Sequence, residues 1–214
     1  MTRTRIKICG ITNREDALEA IAAGADALGF VFVANSPRQV DAGAAAEIIR
    51  CLPPLVATVG VFVDADRETI WSTAQRCGLG AVQLHGAESP EFCRGWPGVR
   101  VIKAFRIRDR DSLVDLPRFA TDAWLLDTHV PGRSGGTGTA FDWSLARETL
   151  AWGRPIILAG GLHPGNVASA IEQVRPYAVD VSSGVESAPG KKDADKMRRF
   201  AMAVAMASKS DPAL

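Results

Sequence analysis

A thiol, an aspartate, a loop arginine and two glycine-rich turns are the groups in this chain best suited to chemistry. Cys9 closes the run Ile6-Lys7-Ile8-Cys9 and is followed at once by Gly10 and a helix cap at Thr12-Asn13. The carboxyl end of a first strand is where barrel enzymes keep catalytic groups, although a free cysteine commonly serves as a small core hydrophobe. A thiolate acts as base or nucleophile where a cation stabilises it, and Lys7 shares a strand face with Cys9. Asp127 ends Trp124-Leu125-Leu126-Asp127, which sets its carboxyl at a strand end above an apolar run. Such surroundings desolvate an acid and favour its protonated form, which suits a proton donor; capping loop amides is the plainer role.

Two further segments suit an anion. Ala159-Gly160-Gly161-Leu162 follows a seventh apolar run, and Asp180-Val181-Ser182-Ser183-Gly184-Val185-Glu186 spans the end of an eighth. Paired glycines let backbone amides approach an anion, and a short helix opening at Ser183-Gly184 would aim its N-terminus at the same point. Barrels often bind phosphate there, with loops from strands seven and eight. The S-x-x-E spacing of Ser183 and Glu186 also fits a capping box, which is compatible with an anion site. Arg38, just after Pro37 in the loop beyond the second strand, would grip a carboxylate through two parallel hydrogen bonds if that loop lies at the mouth. The loop Gly132 to Gly138 is rich enough in glycine for a lid, but it lacks the lysine of a nucleotide P-loop, and no G-x-G-x-x-G follows the first strand. Of the three histidines, His85 is the best placed to face a lumen.

These groups must be positioned by a repeating pattern of elements. Strands are expected at Arg5 to Cys9, Ala27 to Phe32, Val56 to Val63, Ala81 to His85, Val99 to Phe105, Ala123 to Asp127, Pro155 to Ala159 and Ala178 to Ser182. Helical spacing or composition lies between them at Arg14 to Ala23, Ala42 to Cys51, Arg67 to Cys77, Pro90 to Trp96 and Pro164 to Val174, with a closing helix at Lys192 to Ala207. Asp109 to Phe119 is a poorer helix because Pro117 interrupts its end. The alternation predicts an α/β chain, either a single-domain (β/α)8 TIM barrel over residues 1–207 with a polar tail at 208–214, or a doubly wound open sheet. Side-chain parity favours the barrel. One register collects Lys7, Cys9, Thr58, Asp64, Gln83, His85, Lys103, Asp127, Asp180 and Ser182, whereas Ile6, Ile8, Val59, Val61, Val63, Val82, Leu84, Trp124, Leu126, Ile156, Leu158, Val179 and Val181 suit packing under helices. An open sheet needs both faces apolar; a lumen accommodates a polar set at its mouth.

Composition narrows the class. The 214 residues are 47% hydrophobic and 23% charged, as in ordinary globular domains, and no apolar stretch approaches the roughly 20 residues of a membrane span. A formal charge of +1 gives no electrostatic reason to expect nucleic acid or an anionic membrane as partner. Cys9, Cys51, Cys77 and Cys93 form no C-x-x-C pair, so neither a zinc site nor a disulfide framework is expected, and reduced thiols in a cytoplasm are.

Taken together and in order, Lys7-Ile8-Cys9-Gly10, Gly29-Phe30-Val31-Phe32, Ser36-Pro37-Arg38, Val61-Phe62-Val63, Gln83-Leu84-His85-Gly86, Leu126-Asp127, Gly135-Gly136-Thr137-Gly138, Phe141-Asp142-Trp143, Leu158-Ala159-Gly160-Gly161-Leu162 and Asp180 to Glu186 resemble the phosphoribosylanthranilate isomerase family of tryptophan biosynthesis. The resemblance implies a barrel of the ribulose-phosphate-binding type and a cofactor-independent, metal-independent Amadori rearrangement of a small phosphosugar, N-(5-phosphoribosyl)anthranilate. It implies Asp127 as general acid, Cys9 as general base, Arg38 at the anthranilate carboxylate, Asp180 at the anthranilate nitrogen, and Gly160, Gly161, Ser183 and Gly184 at the phosphate; His85 is taken as a further substrate contact. Where the family often has Lys-Thr after the glycine loop, this chain has Thr139-Ala140, so no lysine contact from the lid is implied. Indole-glycerol-phosphate synthase or a ketose-phosphate epimerase is the alternative among enzymes, using Lys7, Lys103 or metal-binding histidines. A non-catalytic barrel for a phosphorylated ligand is the alternative outside them.

Overall fold

A computed structural model describes residues 3–127 and 143–209. Among the described residues, eight parallel strands close into a barrel in chain order. They are β1 (Arg5–Cys9), β2 (Ala27–Val31), β3 (Ala57–Phe62), β4 (Ala81–Leu84), β5 (Arg100–Arg106), β6 (Ala123–Asp127), β7 (Ile156–Ala159) and β8 (Ala178–Val181). Closure between β8 and β1 pairs Lys7 with Asp180, which settles the barrel against the open sheet. Helices α1 (Arg14–Ala22), α2 (Ala42–Arg50), α3 (Arg67–Cys77), α4 (Ser144–Glu148), α5 (Val167–Val174) and α6 (Ala194–Lys209) run between or after the strands. Asn13, Asp41 and Asp66 accept from first-turn amides of α1, α2 and α3, satisfying donors that helix geometry leaves unpaired.

Several expected elements differ. Residues 90–96 make a single turn, with Cys93 N donating to Ser89 O at 3.1 Å, because Gly95 and Pro97 leave no room to propagate a helix. The segment around Pro117 forms two 3-10 turns, Asp111–Leu113 and Leu116–Arg118. Lys191–Lys192 leaves the closing helix and pairs as β10 with β9 (Glu186–Ala188) in a small antiparallel hairpin, and α6 continues past residue 207 to Lys209. The glycine-rich loop 132–138, Thr139-Ala140, Phe141-Asp142 and the last residues of the proposed tail lie outside the described residues.

The lumen face is corrected on two strands. Val59 and Val61 point inward, Val59 packing with Ile102, Ala104, Leu125 and Ile157 and Val61 with Cys9 and Val31. Thr58 is outward, its hydroxyl donating to Gly78 O at 3.2 Å. Lys103 is outward too, paired with Glu88 at 2.8 Å beneath the loop after β4. Ile102 and Ala104 take the inward places on β5. Thr58 is the one polar group on an otherwise apolar β3, and it satisfies its hydroxyl outside the barrel, while Lys103 carries a polar head on a stem long enough to find a carboxylate there.

Behind β6, Trp124 is 2% exposed, donates from Nε1 to Phe119 O at 3.0 Å and meets the Phe105 and Trp152 rings edge to face. Removing a large aromatic from such a core costs roughly 3–5 kcal/mol. That packing fixes the strand from whose end Asp127 projects. None of the described helices is long and apolar enough to cross a membrane.

Candidate active site

The carboxyl ends of the strands bring most of the expected groups to one mouth. Cys9 ends β1, and Asp180, one strand over on β8, stands on the same face as Lys7. Lys7 Nζ donates to Asp180 Oδ1 at 2.9 Å, with the two side chains only 4% and 10% exposed. Burial works against the Lys7 ammonium, but Asp180 and Cys9 outweigh it and hold Lys7 above its ordinary pKa. Cys9 shows the opposite balance from the one expected. Burial, with Asp180 adding to it, holds the thiol above its ordinary value despite the pull of Lys7 and Lys192. The sulfur also has a tight seat: a Cβ on Gly29 would lie 2.7 Å from Cys9 Sγ, so only glycine fits the neighbouring place on β2.

Asp127 stands at the rim of β6, separated from β1 by β7 and β8 on one side and by four strands on the other. Its carboxylate Oδ2 lies 3.5 Å from His85 Nε2. Gln83 Nε2 is 3.3 Å from His85 Nδ1, and with that amide donating, the imidazole proton sits on Nε2 and faces Asp127. His85 is therefore a neighbour of the acid. Beside it the mouth continues into a cavity of about 610 Å³ whose walls include Val63, Phe105 and Phe119, with Lys103 in the wall and not in the lumen.

Arg38 reaches the mouth across Gly10. A Cβ there would sit 2.5 Å from Arg38 Cδ, and Gly10 has φ +80°, so the glycine both turns the chain and leaves room for the arginine. The paired donors expected to grip a ligand are already engaged: Nε and Nη2 donate to Glu186 Oε1 and Oε2, each at 2.7 Å. The capping box at Ser183 does not form. Glu186 instead opens β9 and accepts from Arg38 and from Lys192 Nζ at 2.9 Å. Burial works against the Glu186 carboxylate, yet these two cations outweigh it and hold its pKa below the ordinary range.

The glycine turns adjoin as expected. Gly160 and Gly161 have φ +90° and +64°, and Ser183–Val185 forms one 3-10 turn. A Cβ at Gly184 would run into the Leu162 carbonyl oxygen, which is how the loops after β7 and β8 come into contact. Among the described residues the buried Ser182 Oγ finds no partner, on the same lumen register as Asp180. Gly184→Ala should therefore separate the two turns, destabilising the fold by about 1–3 kcal/mol and raising KM, readable by thermal unfolding and steady-state kinetics.

With this geometry in place, comparison with known proteins is decisive. The family model described as N-(5'phosphoribosyl)anthranilate (PRA) isomerase matches residues 6–203. The chain belongs to that isomerase family. An N-(5'-phosphoribosyl)anthranilate isomerase of Geobacter sp. (strain M21) is 57% identical over 197 residues, covering 92% of this chain and 96% of that one. The crystal structure of phosphoribosyl anthranilate isomerase from Thermotoga maritima superposes with a TM-score of 0.89 at 46% identity, covering 95% of this chain and 99% of that one. A phosphoribosyl anthranilate isomerase in complex with reduced 1-(o-carboxyphenylamino)-1-deoxyribulose 5-phosphate has a TM-score of 0.86 at 44% identity, covering 95% and 99%.

Within the isomerase mouth, Gln83, Glu186 and Lys192 are polar groups that sequence reasoning assigned no functional role. Gln83 stands two residues before His85 on a lumen register, which was a legible signal. Lys192 offered none, since its partner lies across a hairpin that the helical composition of 192–207 obscured.

Proposed function

We propose that this chain isomerises N-(5'-phosphoribosyl)anthranilate to 1-(2-carboxyphenylamino)-1-deoxyribulose 5-phosphate, with Asp127 as acid and Cys9 as base. The observation that carries the assignment of roles is the placement of one thiol and one carboxylic acid on separate arcs of a single mouth. Asp127 protonates the ribose ring oxygen as the C1′–O bond breaks, and the nitrogen lone pair forms the Schiff base. Cys9, as thiolate, then removes the C2′ proton, and those electrons flow toward nitrogen to give the enolamine. Proton loss from the C2′ hydroxyl and protonation at C1′ complete the aminoketose. A positioned acid and base each supply about 10²- to 10⁴-fold.

The remaining groups serve binding. The glycines at 160, 161 and 184 with Ser183 offer main-chain and hydroxyl donors to the phosphate. Asp180 gives one oxygen to Lys7 and turns the other toward the anthranilate nitrogen, and His85 orients Asp127. Arg38 takes the anthranilate carboxylate. Arg38→Ala should raise KM by roughly 10- to 100-fold, the worth of one or two charge-assisted hydrogen bonds, with a smaller change in kcat. An unchanged KM would remove Arg38 from the binding site. The activity itself is tested by adding purified protein to freshly made phosphoribosylanthranilate and following the loss of fluorescence; decay at the spontaneous rate would overturn the assignment.

A further inference from the structure

Glu186 takes no part in the proton transfers, yet the mouth is built around it. Its side chain is 5% exposed and accepts from Arg38 Nε, Arg38 Nη2 and Lys192 Nζ. Lys196 Nζ donates to its backbone oxygen at 2.7 Å. Lys192 is fully enclosed, donates also to Ser182 O at 3.3 Å, and has its backbone N–H tied to Asp16 at 2.8 Å. Burying an ionic cluster of this kind is costly for stability, and a hydrophobic set of equal volume often does as well. What the cluster does provide is geometry. A guanidinium has two edges that match a carboxylate, and Glu186 fills the side edge formed by Nε and Nη2.

We propose that Glu186 is a positioning residue that clamps Arg38 so that only its end edge, Nη1 with the second N–H of Nη2, meets the substrate, making the site selective for aminosugar phosphates whose aryl group carries a carboxylate. The proposal rests on the reading of Arg38 as the carboxylate-binding group. Lys192 offsets the charge of Glu186, so Arg38 remains an effective cation toward the ligand. Lys7, Arg38 and Lys192 face Asp180 and Glu186 around Cys9, which leaves one positive charge for the incoming carboxylate while Cys9 is a thiol.

The sign of the effect separates positioning from simple charge. Removing the negative charge of Glu186 makes the cluster more positive and would, by electrostatics alone, tighten carboxylate binding. Loss of the clamp frees Arg38 to adopt many rotamers, and ordering it on binding then weakens the complex. Calorimetric titration should use two probes, reduced 1-(2-carboxyphenylamino)-1-deoxyribulose 5-phosphate and the same compound lacking the carboxylate. Glu186→Gln should weaken the first by about tenfold or more, leave the second within about twofold, and add nothing further in an Arg38→Ala background, where the clamp has no target. Equal weakening of both probes would show a merely structural role, and tighter binding of the first would show Glu186 to be a competitor of the ligand; either overturns the proposal. If Arg38→Ala itself leaves the carboxylate probe unaffected, it is the reading of Arg38 that fails. Should Glu186→Gln not fold with Lys192 left buried and uncompensated, the paired variant Glu186→Gln, Lys192→Gln removes both charges together and should show the same split between probes.

Discussion

Replacing Cys9 with alanine should lower kcat by about 10²- to 10⁴-fold while the barrel stays folded. The fold survives because the change deletes one small atom from a seat shaped by Gly29, and no ladder bond involves the thiol. Turnover should not survive, because the proposed base is gone while the neighbouring Lys7 is held as an ammonium by Asp180. The pH dependence carries a second signature. Burial holds the Cys9 thiol above its ordinary value, so near neutral pH the base is mostly protonated. The kcat/KM profile is then bell-shaped, its limbs belonging to the coupled pair. Its alkaline limb should lie above the ordinary thiol pKa of about 8.5. Alkylation of Cys9 by iodoacetamide should accelerate over the same range, since the thiolate is the reacting species. A folded Cys9→Ala protein with near-wild-type turnover removes the thiol from the mechanism.

Asp127→Asn should be as damaging to turnover and nearly silent in binding. Asparagine keeps the size of the side chain at the rim and its polar contact toward His85, but it has no acidic proton to transfer. Ring opening then lacks its acid, and a loss of about 10²- to 10⁴-fold in kcat is expected. The reduced product analogue has no ring to open, so its dissociation constant should stay within a few-fold of wild type. Weak analogue binding combined with normal turnover of bound substrate would make Asp127 a binding residue, and the proton donor would have to be sought elsewhere in the mouth.

The barrel was legible because its period is carried by many short apolar runs, each bounded by caps and glycines whose chemistry is local. Asn13, Asp41 and Asp66 cap the helices whose starts they announce. Cys9, Asp127, Asp180 and the glycine pairs were legible for the same reason, since a strand-end position is itself a local property. Arg38 was found and its bond was not. Its partner lies 148 positions away, while the nearer signal, serine and glutamate in capping-box spacing, pointed Glu186 toward Ser183. The Arg38 guanidinium wins that competition because charge-assisted, two-pronged hydrogen bonds are worth more than a cap. The facing of Val61 and Lys103 failed for a related reason: Thr58, the one polar group on an otherwise apolar β3, bonds Gly78 outside the barrel, and a long polar side chain does not report which side of the sheet it leaves.

The central claim is that Cys9 and Asp127 perform the two proton transfers of one isomerisation. It is tested most directly by following loss of phosphoribosylanthranilate fluorescence in parallel for the wild-type chain, Cys9→Ala, Asp127→Asn and the double variant, each saturated with substrate and each shown to bind the reduced product analogue. Groups that act as one unit are strongly non-additive, so the double variant should be little slower than the slower single one, and all three should fall at least about 10²-fold below wild type. Turnover by the double variant within about tenfold of wild type would contradict the account.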